Sequence, residues 1–253
     1  MEAIEISPEV AERIRRARRV VFFTGAGVSR ESGLATFRGD GGLWESRRPE
    51  ELATSQAFAR HPDTVWRWYA WRFHQAAAAE PNPAHLAIAS FEGRFPSSLV
   101  VTQNVDGLHR RAGSQRILEL HGTLVEATCH SCGRRRPMGE AVAQSADAPP
   151  RCPCGGLFRP AVVWFGEALP PAVLADAHEE AQRADLFVSI GTSGVVYPTA
   201  GLIEVAHRAG ALLVEVNPEP TPFSSLAALR FAEPAGLAVP RLLETIERCR
   251  SQA

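Results

Sequence analysis

A short apolar strand that ends in glycines, near the start of the chain, limits the fold more than any other stretch. Residues 20–23 are β-branched or aromatic and too few for a helix, and Gly25, Ala26 and Gly27 follow directly after Thr24. A turn of small residues after a first strand lets the backbone approach a pyrophosphate and directs a helix N-terminus at its charge. The pattern predicts a nucleotide ligand, although the third glycine of the usual dinucleotide fingerprint is missing.

The same alternation of apolar segment, small or polar residues and helical segment recurs along the chain. Further strands are predicted at residues 99–102, 117–120, 161–165, 185–190 and 212–216, and helices at residues 7–19, 29–34, 63–80, 171–183, 198–208 and 239–250. We therefore predict an α/β fold with a doubly wound, Rossmann-like parallel sheet.

Polar residues directly after two of these strands are candidates for a site, because ligands of such sheets bind beyond the carboxyl ends of the strands. Gln103, Asn104 and Asp106 follow the strand at 99–102, and His121 follows the strand at 117–120. The unperturbed pKa of histidine is about 6.5, which suits His121 to general-base catalysis.

The segment 63–80 is predicted to be a helix with Asp63 as its N-cap. Tyr69 and Arg72 are three residues apart and share one helix face, so they could bind a carboxylate together. Their spacing alone favours two surface residues, because exposed Arg and Tyr are common.

Four of the five cysteines, Cys129, Cys132, Cys152 and Cys154, lie close together in the sequence. In a reducing compartment this clustering favours a four-thiolate zinc ribbon over disulfides, with free thiols as the alternative. Four thiolates leave no open coordination position, so the metal is predicted to be structural.

The composition of the chain argues against several classes of partner. The net charge of −1 gives no support for nucleic-acid binding, and no apolar run is long enough to cross a membrane. Without a visible secretory signal, a cytoplasmic enzyme that binds neither membrane nor specific nucleic acid is expected.

Five motifs stand in order along the chain: GAGVSRESGLATFRG, TQNVDGLHRRAG with HGTL, the cysteine quartet, VVWFGE, and GTSGVVYP with NPEP. Together they resemble the sirtuin family of NAD-dependent protein lysine deacylases. The resemblance implies a Rossmann-like NAD-binding domain of residues 1–42, 83–124 and 160–253. A helical insert, 43–82, and a zinc ribbon, 125–159, would form a smaller domain, with NAD and acyl-lysine in the cleft between the two.

The resemblance also implies roles for individual residues. His121 matches the general base, with Asn104 and Asp106 as catalytic residues beside it. The cofactor-binding residues implied are Gly25, Ala26, Gly27, Ser29, Phe37, Arg38, Gln103, Asn104, Asp106, Gly191, Thr192, Ser193, Asn217, Glu219 and Ala235. The substrate-binding residues implied are Tyr69, Arg72, Val163, Phe165 and Gly166.

The pair Tyr69 and Arg72 resembles the Tyr-x-x-Arg pattern of sirtuins that prefer succinyl and other acidic acyl groups. The expected function is removal of acetyl and succinyl groups from lysine side chains of acylated proteins, giving nicotinamide and O-acyl-ADP-ribose. Deacetylation without an acidic-acyl preference and mono-ADP-ribosyl transfer are the enzymatic alternatives.

Two other classes were weighed against this one. A Rossmann dehydrogenase requires an acidic ribose-binding residue about 20 positions after the glycines, at the end of a second strand, and the sequence has none there. A zinc-ribbon module that binds nucleic acid or senses NAD would not need His121.

Overall fold

The computed structural model describes residues 6–36, 42–43 and 48–251. Its strands are β1 (Arg19–Thr24), β2 (Ser97–Thr102), β3 (Ile117–Glu119), β4 (Gly122–Cys129), β5 (Arg135–Pro137), β6 (Phe158–Val162), β7 (Leu186–Ile190), β8 (Leu212–Val216) and β9 (Leu229–Phe231). Its α-helices are α1 (Pro8–Arg16), α2 (Pro49–Leu52), α3 (Ser55–Arg60), α4 (Pro62–Ala78), α5 (Pro83–Phe91), α6 (Leu108–Arg111), α7 (Met138–Gln144), α8 (Pro171–Arg183), α9 (Gly201–Arg208) and α10 (Ala235–Ser251). Short 3₁₀-helices span Ala26–Ser32 and Ser224–Leu226.

Six strands form one parallel sheet in the order β3-β2-β1-β7-β8-β9. This is the strand order of a doubly wound dinucleotide-binding sheet, and it confirms the predicted fold class. The order reverses between β1 and β7, where ligands of such sheets bind.

Residues 20–23 of strand β1 are all apolar because helices cover both faces of the sheet. Val20 and Phe22 belong to a core cluster that includes residues of α1, α5 and α10. Val21 and Phe23 point the other way, into a cluster with α8 and α9. The alternation of side chains along a strand thus divides four consecutive apolar residues between two cores.

A smaller antiparallel sheet, in the order β5-β4-β6, packs with helices of the 43–82 segment. Trp66 of α4, Leu124 of β4, Met138 of α7 and Trp164 all lie in its core cluster. This shared core agrees with a smaller domain built from a helical insert and a zinc ribbon, while the predicted domain boundaries stay a prediction.

Several predicted element ends differ from the structure. Helix α4 begins at Pro62 after His61, so Asp63 lies in the first turn rather than at the N-cap. The helix predicted at 29–34 is a 3₁₀-helix that already begins at Ala26. Helix α10 begins at Ala235, four residues earlier than predicted, while α9 begins later, at Gly201.

The segment predicted as a strand at 161–165 is also different, since β6 spans Phe158–Val162. The backbone N–H of Val163 donates to the carbonyl of His121, and that of Phe165 donates to Ala53. The residues after β6 thus bond to two different segments. Among the described residues, no helix combines the length and apolar character needed to cross a membrane.

Candidate active site

The carboxyl ends of β1, β2, β7 and β8 meet at one edge of the parallel sheet and open into a cavity of about 1380 Å³. Predicted site residues from distant parts of the chain line it. They are Gly25, Ala26, Gly27, Tyr69, Arg72, Gln103, Asn104, His121, Val163, Phe165, Gly166, Gly191, Thr192, Ser193, Asn217, Glu219 and Ala235. Phe37 and Arg38 lie outside the described residues.

The glycines after β1 are needed for contact with the turn after β7. The N–H of Gly25 donates to the carbonyl of Ile190 at 3.0 Å, and that of Gly27 donates to Gly191 at 2.8 Å. A Cβ on Gly27 would lie 2.7 Å from the Gly191 Cα, and Gly191 itself has a φ of +59°. The two turns therefore meet backbone to backbone at the cavity wall, a close approach that only glycine permits.

His121 is held in one tautomer by the backbone. Its Nδ1 lies 3.0 Å from the carbonyl oxygen of Gln103, which can only accept, so Nδ1 carries the proton and Nε2 has an unprotonated lone pair. Burial lowers the pKa of His121 below its ordinary value, against the hydrogen bond to Gln103. At neutral pH the ring is therefore an uncharged base at the cavity wall.

The side chain of Gln103 joins the ends of two strands. Its Nε2 donates to Thr192 Oγ1 at 2.9 Å, and its Oε1 accepts from Thr199 Oγ1 at 3.0 Å. Both ends of the amide are bonded to the segment after β7. Gln103 thus positions the cavity wall with its side chain and His121 with its carbonyl.

Ser29, Asn104 and Asp106 form a polar cluster at a smaller cavity of about 120 Å³, which shares Asn104 with the large one. Asn104 Nδ2 donates to Gly25 O at 3.1 Å and to Ser29 Oγ at 3.2 Å. Ser29 Oγ in turn donates to Asp106 Oδ2 at 2.8 Å. The cluster offers an amide and a carboxylate at short range, which suits recognition of a polar planar group.

Buried His85 lies behind this cluster, and no sequence pattern pointed to it. Its Nδ1 accepts from the N–H of Asn82 at 3.3 Å, so its protonated Nε2 faces Ser29 Oγ at 3.5 Å. Burial lowers the pKa of His85 to about 4, which keeps the ring neutral.

Tyr69 and Arg72 both reach the large cavity from α4, as their shared helix face predicts. Tyr69 is 2% exposed, and burial raises its pKa to about 12 although Arg72 opposes the shift, so the phenol is neutral. The guanidinium carbon of Arg72 lies 5.7 Å from the centre of the Tyr69 ring and 5.0 Å from that of Trp68. The cavity wall therefore presents a hydroxyl and a cation side by side.

Sequence reasoning missed an ion pair at the segment 163–167, between buried Arg159 and half-buried Glu167. Arg159 bonds both oxygens of Glu167, at 2.5 and 2.9 Å. Glu167 also accepts from Ser55 Oγ at 2.6 Å and from the N–H of Trp164 at 2.9 Å. Burial raises the pKa of Glu167, but these bonds outweigh it and lower the pKa to about 2.

At the far end of the cavity, α10 begins with the predicted contact Ala235, which is buried. The next amide, Gly236 N–H, donates to the carboxylate of Glu31 at 2.5 Å. The helix N-terminus is thus capped from within the protein. Asn217, which also lines the cavity, donates from its Nδ2 to the carbonyl of Glu219 at 2.9 Å.

The four clustered cysteines form a compact sulfur site. Their Sγ atoms all lie within 4.8 Å of one another, with 3.5 Å between Cys129 and Cys154 and 3.7 Å between Cys132 and Cys152. Tetrahedral Zn²⁺ with Zn–S bonds of about 2.3 Å holds its sulfurs about 3.8 Å apart, so the spacing fits zinc. Cys152 and Cys154 are separated by one residue, and a tight turn brings both sulfurs to the site. In this turn the N–H of Gly155 donates a hydrogen bond to the carbonyl oxygen of Cys152.

Comparison with known proteins agrees with this geometry. Residues 25–198 match the Sir2 family. An NAD-dependent protein deacylase of Aquifex aeolicus is 47% identical over 226 residues, which cover 89% of this chain and 94% of that protein. The crystal structure of a Sir2 homologue in complex with NAD superimposes with a TM-score of 0.86 at 41% identity, covering 99% and 97% of the two chains. A complex of Sir2 with a p53 peptide and NAD+ gives a TM-score of 0.81 at 33% identity, covering 97% of each chain. On these similarities and on the cavity that the two glycine turns share, the chain belongs to the Sir2 family.

Proposed function

We propose that this protein is an NAD-dependent protein lysine deacylase that removes acetyl and, preferentially, succinyl groups. One observation carries the proposal: a single cavity joins the glycine turns, an unprotonated His121 Nε2, and the hydroxyl and cation of Tyr69 and Arg72. NAD-dependent deacylation is the activity in the name of the Aquifex relative. The preference for an acidic acyl group rests on the two α4 side chains.

The cavity suits two ligands at once. Its volume of about 1380 Å³ exceeds the roughly 300–1,000 Å³ of most small-molecule sites, which leaves room for a dinucleotide and an acyl-lysine together. We assign the diphosphate and adenosine half of NAD to the turns after β1, β7 and β8, with Ala235 at the adenine. The nicotinamide end belongs to Gln103 and the cluster of Ser29, Asn104 and Asp106.

When bound, NAD supplies an electrophilic ribose carbon with nicotinamide as its leaving group. His121 then accepts a proton at Nε2 from a ribose hydroxyl, while its Nδ1–H stays on the Gln103 carbonyl. Because the protonated ring keeps this bond, His121 does not need to rotate between its two states. One water molecule is consumed as the lysine is released, and the products are free lysine, nicotinamide and O-acyl-ADP-ribose.

An acidic acyl group gains more from this cavity than an acetyl group does. Arg72 can bind the distal carboxylate of a succinyl group, and the neutral phenol of Tyr69 can donate to it. An acetyl group ends in a methyl group, so it has no distal acceptor for either side chain. Tighter binding of the succinyl group than of the acetyl group therefore gives a preference for succinyl-lysine.

The segment 163–166 is assigned to the substrate backbone. Phe165 is 46% exposed at the mouth of the cavity, beside Val163 and Gly166, and an exposed aromatic ring suits contact with an extended peptide. Acylated proteins with lysines in flexible segments are thus the proposed substrates.

The test is mass spectrometry of matched acetyl-lysine and succinyl-lysine peptides with and without NAD. We expect NAD-dependent loss of succinate faster than loss of acetate, and a roughly 10- to 100-fold lower succinyl kcat/KM in Arg72→Met. Arg67→Met is the matched control, since Arg67 lies on the same helix but is exposed. An unchanged preference in Arg72→Met would contradict the acyl assignment, and label transfer from NAD to protein would indicate the transferase alternative.

A further inference from the structure

The hydroxyl of Tyr69 has a partner on the segment after β6. Trp164 Nε1 lies 3.0 Å from Tyr69 Oη, and both side chains are 2% exposed. An indole N–H can only donate, so the phenol oxygen is the acceptor in this bond. The phenol hydrogen must therefore point away from Trp164.

Trp164 is itself fixed at both its backbone and its ring. Its N–H donates to Glu167 Oε2 at 2.9 Å, and the guanidinium carbon of Arg159 lies 3.4 Å from the ring centre. Phe58 packs on the same ring, with 5.3 Å between centroids. The indole N–H thus has a set direction, imposed by the partly buried Arg159–Glu167 ion pair and by the ring of Phe58.

We propose that Trp164 is a positioning residue for acyl specificity: its indole N–H orients the Tyr69 hydroxyl so that the phenol donates to the distal carboxylate of an acidic acyl group. This inference rests on the proposed function, because it concerns the same acyl pocket. It adds that the preference is set by three residues from two distant segments, Tyr69 and Arg72 on α4 and Trp164 after β6.

Without the indole N–H, the phenol is free to donate toward the side that Trp164 now occupies. A bound succinyl carboxylate then has to reorient the hydroxyl, whereas an acetyl group makes no use of it. The predicted consequence is a lower ratio of succinyl to acetyl kcat/KM, expressed mainly as a higher KM for the succinyl peptide.

The test compares wild type, Trp164→Phe, Tyr69→Phe and the double variant on acetyl and succinyl peptides at saturating NAD. We expect Trp164→Phe to lower the succinyl-to-acetyl ratio about five- to tenfold, the size of one neutral hydrogen bond. In the Tyr69→Phe background the same change is expected to have no further effect, since Trp164 acts through Tyr69. If Trp164→Phe instead damaged the segment after β6 in general, any fall in the succinyl-to-acetyl ratio would occur in both the wild type and Tyr69→Phe.

Trp66→Phe is the matched control. It removes another buried indole N–H from the same core, bonded at 2.9 Å to the carbonyl of Ser145, and Trp66 does not line the cavity. Replacement of Trp164 by 3-benzothienylalanine, which has the shape of tryptophan without the N–H, covers the case in which Trp164→Phe does not fold.

The outcomes separate the two proposals. A wild-type enzyme that removes acetyl but not succinyl groups overturns the acidic-acyl function and this inference with it. A wild-type enzyme with the preference, and an unchanged ratio in the Trp164 variants, overturns the inference alone. The inference is also overturned if Trp164→Phe lowers the succinyl-to-acetyl ratio by the same factor in the wild type and in Tyr69→Phe.

Discussion

At the residue scale, the chemistry of the site depends on which atoms carry protons. His121 has an unprotonated Nε2 because a backbone carbonyl accepts its Nδ1–H, and burial raises the pKa of Tyr69 to about 12, so that its phenol keeps the proton. Neither state requires another charged residue as its partner. Two ordinary contacts, one to a carbonyl and one to an indole, thus leave His121 Nε2 as an acceptor and the Tyr69 hydroxyl hydrogen directed away from Trp164.

We expect His121→Ala to lower kcat/KM for any acyl-lysine peptide by about 10²- to 10⁴-fold, the usual contribution of a general base. NAD binding, measured by calorimetry, should change little, because His121 is assigned to the chemical step. His178→Ala, an exposed histidine on α8, is the control and should keep wild-type rates. Equal losses in both variants would contradict the role of His121.

The pH profile gives a second test of the same residue. Burial lowers the pKa of His121 below 6.5 against the Gln103 bond, so the unprotonated base persists to more acidic pH than in an exposed histidine. We expect the acid limb of kcat/KM to lie below pH 6.5 in the wild type. An acid limb above pH 6.5 would mean that a different group, or a charged His121, limits the reaction.

At the element scale, the contact between the turns after β1 and β7 sets the shape of the cofactor wall. Gly27 and Gly191 approach so closely that each occupies the space where the other would carry a Cβ. The glycine turn thus joins β1 and β7, the third and fourth strands of the sheet order, at the point where that order reverses.

Gly27→Ala is therefore expected to weaken NAD binding at least about tenfold and to destabilise the fold by roughly 1–3 kcal/mol, because the clash is with backbone. Calorimetric titration with NAD and thermal unfolding measure the two effects. Gly139→Ala is the matched control, since its Cβ would meet only Phe73 at 3.4 Å, within a helix that favours alanine. If Gly27→Ala bound NAD with wild-type affinity, the turns after β1 and β7 could move apart without loss of NAD binding, which would contradict this prediction.

At the scale of the whole molecule, the cysteine site supports the smaller core. Cys129 and Cys152 lie in the cluster that also holds Tyr69 and Trp164. The cysteine cluster and two side chains of the proposed acyl pocket thus share one packed core, so loss of the metal is expected to disturb both.

We expect about one zinc per chain by elemental analysis, and loss of that zinc in Cys152→Ser. The melting temperature should fall by roughly 10 °C or more, because metal binding contributes to folding free energy. Cys249→Ser is the control, since Cys249 packs in the core around α10, outside the cluster. A stable, zinc-free Cys152→Ser protein would contradict the structural role.

Local patterns in the sequence were sufficient for the parallel sheet, the cysteine cluster and the position of His121 directly after a strand. They placed Tyr69 and Arg72 on one helix face, but the spacing alone did not decide that this face lines a cavity. Strand periodicity, i and i+3 spacing and ligand spacing all depend on neighbours in sequence, so they can be read without the fold. The element ends were less accurate, as at Asp63 and Ala235, because a cap depends on the residues that approach it.

Tertiary structure alone decided which distant side chains meet. Trp164 reaches Tyr69 from 95 residues away, and Glu31 caps α10 from 205 residues away. The glycines after β1 were expected to make room for a ligand, and the structure shows that they also make room for Gly191. Local chemistry therefore determined what each residue can do, whereas long-range packing determined which partner directs it.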